Sequence, residues 1–285
     1  MGNSGRKLTS GVSAAFAPEN AVAPVGELSK RNSFWSRNIL GWILPLFLTA
    51  GWELLARVGL IDTSLFSSPS QIAAELLKLT WNGELLAHLE TTFLRVAAGF
   101  SIGVFTATLL GALTGYSRFA RRLLDPLLQS LRSIPSMAWV PLFLLWLGIG
   151  ESSKIALIAL GVFFPVYLNL MNGVRSVDRK LVEAGLANGF QGFALVKTVV
   201  LPASLPAYLV GLRQGLSLGW MFVVAAEIMG ASRGLGYLLI DGQTTGRPAV
   251  MISSVILFAI CGKLSDSILA NLSERWLHWQ DVYRR

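Results

Sequence analysis

The sequence predicts an all-α, polytopic membrane protein with six transmembrane helices and both termini in the cytoplasm. Three observations predict it. Of 285 residues, 53% are hydrophobic and only 14% charged, and mean hydropathy is +0.57; a soluble domain carries about a quarter charged residues. The apolar residues gather in runs of about 20, the length a helix needs to cross the hydrocarbon core. The basic residues sort by side of those runs. Arg31 and Arg37 precede the first, Arg118, Arg121 and Arg122 follow the second, Arg175, Arg179, Lys180 and Lys197 follow the fourth, and Arg275, Arg284 and Arg285 follow the sixth. The alternate segments hold only Arg57 and Lys78, then Lys154, then Arg233 and Arg247. Positive loops stay in the cytoplasm, which fixes the orientation.

Residues 1–38, rich in Ala, Ser, Gly, Pro and Asn with no apolar period, read as a disordered cytoplasmic tail. They are not a cleavable signal, because the apolar run starts late, is long and is followed by no small-residue cleavage site. The membrane domain runs over 39–275. Its first span is Ile39–Val58. An external helix follows: Ser68, Pro69 and Gln71 form a start signal, and Ile72, Leu76 and Leu77 an apolar face. Trp81-Asn82-Gly83 ends it. The second span is Thr92–Gly115 and the third Leu123–Leu147, where Pro135 and Pro141 predict a kink. Ile155–Val174, Leu205–Met229 and Ala249–Leu272 are the fourth to sixth, and 276–285 is a short cytoplasmic tail. Gly99 and Gly103, Gly111 and Gly115, and Gly211, Gly215 and Gly219 recur every four residues, which lets helix backbones approach closely.

The cytoplasmic segment at about 176–202 is an elbow. Asp178 caps a helix over Arg179–Asn188, Gly189 ends it in a left-handed conformation, and a second helix over Phe190–Val200 reaches Pro202, which starts the next element. Ala184, Gly185 and Ala187 make one side small, suited to docking in a groove. Glu183 either accepts hydrogen bonds from a partner or merely complements the helix dipole; spacing alone does not choose.

Several charges fall inside the apolar runs, where they are costly and so draw attention. Lys263 and Asp266, three apart, are expected to pair on one helix, and Arg213 to snorkel toward the cytoplasm. Glu53 and Glu227 lie toward the outer helix ends. The sole cysteine, Cys261, excludes a disulfide and cysteine-based zinc sites within one chain, and His88 and His278 lie on opposite sides of the membrane, so no metal site is expected. No Gly-x4-Gly-Lys-Ser/Thr phosphate loop, catalytic triad or carboxylate pair is present, so no catalytic residue is assigned. No basic face remains for nucleic acid.

Glu183-Ala184-Gly185, three residues, Gly189, nine residues and then Val199-x-Leu201-Pro202 resembles the cytoplasmic "EAA" loop of ATP-binding-cassette importer permeases. Gly185 stands where the motif has its second Ala, and Val199 where it has Ile. Arg132-Ser133-Ile134-Pro135, Trp146-Leu147-Gly148-Ile149-Gly150, Phe164-Pro165-Val166-Tyr167-Leu168-Asn169, Ala226-Glu227, Gly234-Leu235-Gly236-Tyr237 and Gly262-Lys263-Leu264-Ser265-Asp266 are similar to the subgroup handling aliphatic sulfonates, taurine and nitrate, with the sulfonate branch nearest.

The resemblance implies a non-enzymatic permease subunit in the inner membrane, translocating an aliphatic sulfonate or related small organic anion. Taurine, nitrate or another small solute are the alternative cargoes, and a stand-alone secondary transporter the alternative class. It implies that Glu183, Ala184, Gly185, Gly189, Val199, Leu201 and Pro202 couple to separate ATPase subunits. ATP and Mg would sit on those subunits, with no cofactor in this chain, and a periplasmic solute-binding protein would deliver the cargo. Six spans are few for a whole pore, so a second copy related by a twofold axis is expected. Ser136, Trp139, Tyr167 and Asn169 are the candidate path residues beside the kinked third span. Glu227 is the candidate gate, locked by Arg233 or Arg247.

Overall fold

The computed structural model describes residues 33–277, with side chains described from residue 43. The expected tail up to residue 32, most of the tail at 276–285, and His278 lie outside the described residues. Residues up to Ala50 and those from Gly51 onward form two units. The first contributes the beginning of α1 (Ser33–Arg57), which therefore starts before Ile39; the second holds everything that follows.

All regular elements among the described residues are helical. After α1 come α2 (Pro69–Trp81), α3 (Glu84–Tyr116), α4 (Arg118–Arg132), α5 (Trp139–Leu147) and α6 (Glu151–Arg175). Then follow α7 (Arg179–Ala187), α8 (Gly192–Leu195), α9 (Leu201–Ile228), α10 (Leu235–Thr244) and α11 (Pro248–Trp276). The start of α2 is as expected: the Ser68 hydroxyl accepts from Gln71 N, and the Gln71 side chain accepts from Ser68 N at 3.0 Å. Its inward stripe is Ile72 and Leu79, whereas Leu77 faces out. Glu53 accepts from Arg57 at 2.7 Å and from Ser70 N at 3.1 Å, placing a carboxylate at the N-terminus of α2.

Among the described residues, four helices are long and apolar enough to cross a membrane: Glu84–Tyr116, Glu151–Arg175, the run Gly192–Ile228, and Pro248–Trp276. The expected third span is not one helix. It is α4, a single 3-10 turn (Ser136–Ala138) and α5, bent by 89° at the break. Counted as one span, the bent pair brings the number to five. The break belongs to Pro135 alone: the residue before a proline is pushed out of the α region, and Pro135 itself has ψ 133°. Pro141 sits in the first turn of α5, where no intrahelical donor is lost, and adds no second kink.

The core is built around α6. Gly99, Gly103, Gly111 and Gly115 of α3 meet Ile158, Val162, Leu170 and Val174 in the same order, so α3 and α6 run parallel. Gly211, Gly215 and Gly219 of α9 meet Asn169, Val166 and Val162 in reverse order, so α9 runs antiparallel to α6. A Cβ on Gly103 would lie 2.6 Å from the Ala159 carbonyl oxygen, and one on Gly211 2.8 Å from Asn169 Cβ. In lipid no hydrophobic force drives helices together, so this backbone proximity supplies the packing energy. The four-residue glycine spacing is thus a packing device.

Candidate functional site

A cavity of about 1190 Å³ opens between the α4–α5 break, α6, α9 and α11. Of the candidate path residues, Ser136, Trp139 and Asn169 line it. The Asn169 amide donates to Gln214 Oε1 across the α6–α9 seam at 2.9 Å and to the Pro165 carbonyl at 2.8 Å. Tyr167 does not line it. Two residues from Asn169 on one helix is a rotation of about 200°, which turns Tyr167 into the core at 1% exposure. There it stacks on Phe163 (5.6 Å) and its hydroxyl donates to Asp125 Oδ1 at 3.4 Å.

Arg132 stands at the C-terminal end of α4, on the cavity wall. Arg213 does not snorkel. Its guanidinium clasps the Asp266 carboxylate from α9 to α11, Nε to Oδ1 at 2.9 Å and Nη2 to Oδ2 at 3.0 Å. Asp266 is therefore bound to Arg213 and not, as expected, to Lys263: a bidentate fork is the stronger geometry.

Glu227 is also away from the cavity, and its partner is neither Arg233 nor Arg247. Its side chain is fully buried and accepts from Arg95 Nη1 at 2.8 Å, from the Thr92 hydroxyl at 2.9 Å and from Gly236 N at 2.8 Å. Arg95 in turn donates to both oxygens of Glu151 (2.6 and 2.7 Å) and to the Arg233 carbonyl (2.6 Å). Lys154 adds a second cation to Glu151 at 3.2 Å, so two carboxylates meet two cations. Arg247 pairs with Asp241 instead.

The same cluster caps α10. Gly234 N donates to His88 Nδ1, Leu235 N to Thr92 Oγ1 and Gly236 N to Glu227, which satisfies three successive free donors at a helix start. A Cβ on Gly234 would lie 2.5 Å from the Glu227 carboxylate, and Gly234 has φ +123°, so the Gly-Leu-Gly stretch is shaped by this contact. Arg95 escaped sequence reasoning although it lies inside the expected second span, where a lone cation was itself the signal.

The elbow forms, with shifted bounds. Asp178 Oδ1 accepts from Lys180 N at 2.9 Å and starts α7. At its end Phe190 N donates to the Gly185 carbonyl and Gly189 N to that of Leu186, with Gly189 at φ +83°. This pair of bonds is the Schellman closure. Gln191 is then extended (φ −133°, ψ 157°) and caps the next helix, which starts at Gly192 and not at Phe190. Pro202 stands in the first turn of α9, as expected, but no break separates that helix from the elbow. The chain stays helical from Gly192 to Ile228, through a π-helical turn at Val196–Val200 where Leu201 N donates to the Val196 carbonyl. Widening the turn accommodates a proline that lacks an N–H and would clash with the carbonyl four residues back.

Gly185 is buried inside the elbow, not on a docking side. A Cβ there would lie 2.7 Å from Leu195 and 2.9 Å from Val199. Ala184 and Ala187 are exposed, as are Leu186, Leu201 and Pro202. Glu183 is 57% exposed in its side chain and pairs with Arg179 Nε at 2.7 Å. Leu181 and Phe193 also stand out into solvent, Phe193 at 81%.

The profile of the family described as binding-protein-dependent transport system inner membrane component matches residues 99–278. A protein of Bacillus subtilis named as the aliphatic sulfonates transport permease SsuC is 38% identical, over 93% of this chain and 95% of its own length. The Escherichia coli protein of the same name is 40% identical, over 87% and 95%. The E. coli taurine transport system permease protein TauC is 32% identical, over 83% and 87%. Among solved structures, a chain of the MetNI methionine ABC transporter in an inward-facing conformation superposes with TM-score 0.61 at 20% identity, over 70% of this chain and 98% of that one.

Proposed function

Since the chain belongs to the binding-protein-dependent transport system inner membrane component family, we propose that it is the permease subunit of an ATP-driven importer whose cargo is an aliphatic sulfonate. In this reading it crosses the inner membrane six times, with α1 as the first span, and works as two copies around a twofold axis. The cargo arrives from a periplasmic solute-binding protein. ATP is hydrolysed by separate ATPase subunits, which receive the elbow of each copy.

The observation that carries the proposal is the continuity of the helix from Gly192 to Ile228. One end of it belongs to the elbow, and its middle walls the cavity through Arg213, Gln214 and Ser217. A push on the elbow therefore reaches the cavity without crossing a flexible joint. Exposed Leu181, Leu186 and Phe193 give the elbow an apolar surface of the kind that marks a docking site, with Glu183 as its polar contact.

The test has two parts. A strain lacking this chain is grown on a short alkanesulfonate as sole sulfur source, with sulfate as control. Loss of growth on the sulfonate alone, restored by the intact gene, is expected. Loss on taurine alone would move the cargo to the taurine branch, which the relatedness to TauC makes the second reading. Separately, Glu183→Arg in the reconstituted complex is expected to abolish uptake while the chain still inserts and purifies. Normal uptake by that variant would remove the elbow from the mechanism.

A further inference from the structure

We propose that the start of α4 is a binding site for an anionic phospholipid, with Arg118, Arg121 and Arg122 on the headgroup phosphate and Phe119, Leu123 and Leu127 against the acyl chains. That this end of the bundle meets the cytoplasmic leaflet rests on the importer reading. The site itself is argued from the faces and the depth of α4.

Three sets of residues divide the circumference of α4. At about 100° per residue, Ala120, Leu124 and Leu128 take one sector, Phe119, Leu123 and Leu127 the next, and the three arginines the third. The first sector faces the bundle: Ala120 is buried and Leu128 packs on the main core. The second is apolar and yet exposed, Phe119 at 77%. In the third, Arg118 and Arg122 are exposed and Arg121 half-buried. None of these arginines has an ion-pair partner among the described residues. Asp125, one turn on, accepts instead from the Tyr167 hydroxyl and the Gln129 amide. No acidic residue stands in the first turn of α4, and cations there oppose the helix dipole. The charges therefore do not serve the helix, and an external anion compensates them.

Depth separates headgroup from tail. A Cβ on Gly115 would lie 2.9 Å from Val174 Cβ, so the α3–α4 turn is level with the end of α6 that leads into the elbow. Asp125 reaches Tyr167, two turns back along α6, which is about 10 Å further into the bundle. α4 thus runs inward from the membrane edge, with the arginines at the edge and Leu123 and Leu127 deeper. On α3, Leu109 and Leu113 are exposed as well, about half a turn round from the glycines that pack on α6. The exposed sector of α4 therefore continues the bundle's lipid-facing surface. An apolar face with a cationic rim at the membrane edge fits a lipid of net negative charge. An acidic soluble protein would answer the arginines but leave the deeper leucines uncovered.

The test is equilibrium binding of fluorescently labelled phosphatidylglycerol and phosphatidylcholine to the purified full complex in nonionic detergent micelles. Each arginine near an anionic headgroup is worth about fivefold, so phosphatidylglycerol is expected to bind at least about tenfold tighter than phosphatidylcholine, and the preference to shrink as salt is raised. Arg118→Gln with Arg122→Gln should remove most of the preference, and Arg118→Lys with Arg122→Lys should retain most of it. Lys78→Gln, a lost cation on α2, should change nothing, and Phe119→Ser should weaken both lipids alike. Equal affinity for the two lipids, or an unchanged preference in the double glutamine variant, overturns the proposal. So does displacement of the lipid by millimolar inorganic phosphate, which would assign the arginines to a soluble anion. Efficient disulfide formation between two copies carrying Phe119→Cys and Cys261→Ser would overturn it too, by giving this face to a second copy. The measurement does not depend on which side of the membrane the elbow faces. Failure of the importer reading would instead appear as intact lipid preference with no ATP-dependent uptake.

Discussion

Removing Arg95 should cost more than any single-residue change elsewhere in the polar network. Arg95→Leu deletes the cation that holds Glu227, whose side chain is wholly buried and 2.8 Å away. The Thr92 hydroxyl and Gly236 N remain as donors, but no charge does. Breaking a buried ion pair from one side typically costs about 3–5 kcal/mol, because the other charge is left uncompensated. Glu151 is spared most of this, being more than half exposed and still paired with Lys154. Arg95→Leu is therefore expected to lower stability by about 3–5 kcal/mol, read by denaturation in mixed micelles. Adding Glu227→Gln should restore a large part of the loss, since the orphan charge is gone while the amide oxygen can still accept from Gly236 N. A loss below about 1 kcal/mol for Arg95→Leu, or strict additivity in the double variant, would refute the reasoning, because residues in one network must couple.

At Gly103, an alanine methyl would lie 2.6 Å from the Ala159 carbonyl oxygen, and backbone cannot step aside. Gly103→Ala should cost about 1–3 kcal/mol, whereas Gly219→Ala, with its nearest neighbour at 3.2 Å, should be milder in the same assay. Gly189→Ala forces a side chain into φ +83° and should cost about 1–2 kcal/mol, seen as faster proteolysis of the elbow while the membrane core stays protected. Pro202→Ala removes the reason for the π turn. The ladder should then close to ordinary α-helical bonding and rotate the elbow by about 100° against α9. Cross-linking between α7 and α8 should stay normal and sulfonate uptake should fall; retained uptake would show that the register of the elbow does not matter.

What the sequence made legible was local. The capping box at Ser68, the Asp178 cap and the turn at Gly189 depend on neighbours three or four residues away, and all three form. The glycine stripes were legible because four-residue spacing on an apolar helix has one cheap structural use. What failed depended on which helix faces which. Asp266 was matched to Lys263, within reach on its own helix, but it points across to Arg213 on α9. Glu227 was matched to arginines near it in sequence, yet its partner lies 132 residues away on α3. Tyr167 and Asn169 were grouped by adjacency, although a helix sends them to different sides. The break at Pro135 was foreseen as a kink, but its 89° was not, since one residue excluded from helical geometry sets a break without setting its angle.

The same facts divide the bundle into stiff and yielding seams. Between α3, α6 and α9 the contacts are glycine backbone against backbone or Cβ atoms at the limit of approach, and the Glu227–Arg95 cluster ties α3, α6 and α9 at one end. Such seams have no side-chain freedom to absorb sliding, so relative movement within this block of three helices is costly. Toward α11 the block is held by Arg213–Asp266 and by the Trp220 indole on the Ser265 hydroxyl at 2.7 Å, and toward α4 by Tyr167 on Asp125. These are polar tethers on side chains, which can lengthen or exchange partners by rotamer changes. The cavity lies along these yielding seams, and the elbow is joined covalently to the block through α6 and α9. Force applied at the elbow would therefore open or close the cavity at its α4–α5 and α11 walls, and Arg213–Asp266 is the bond on its wall that would have to give.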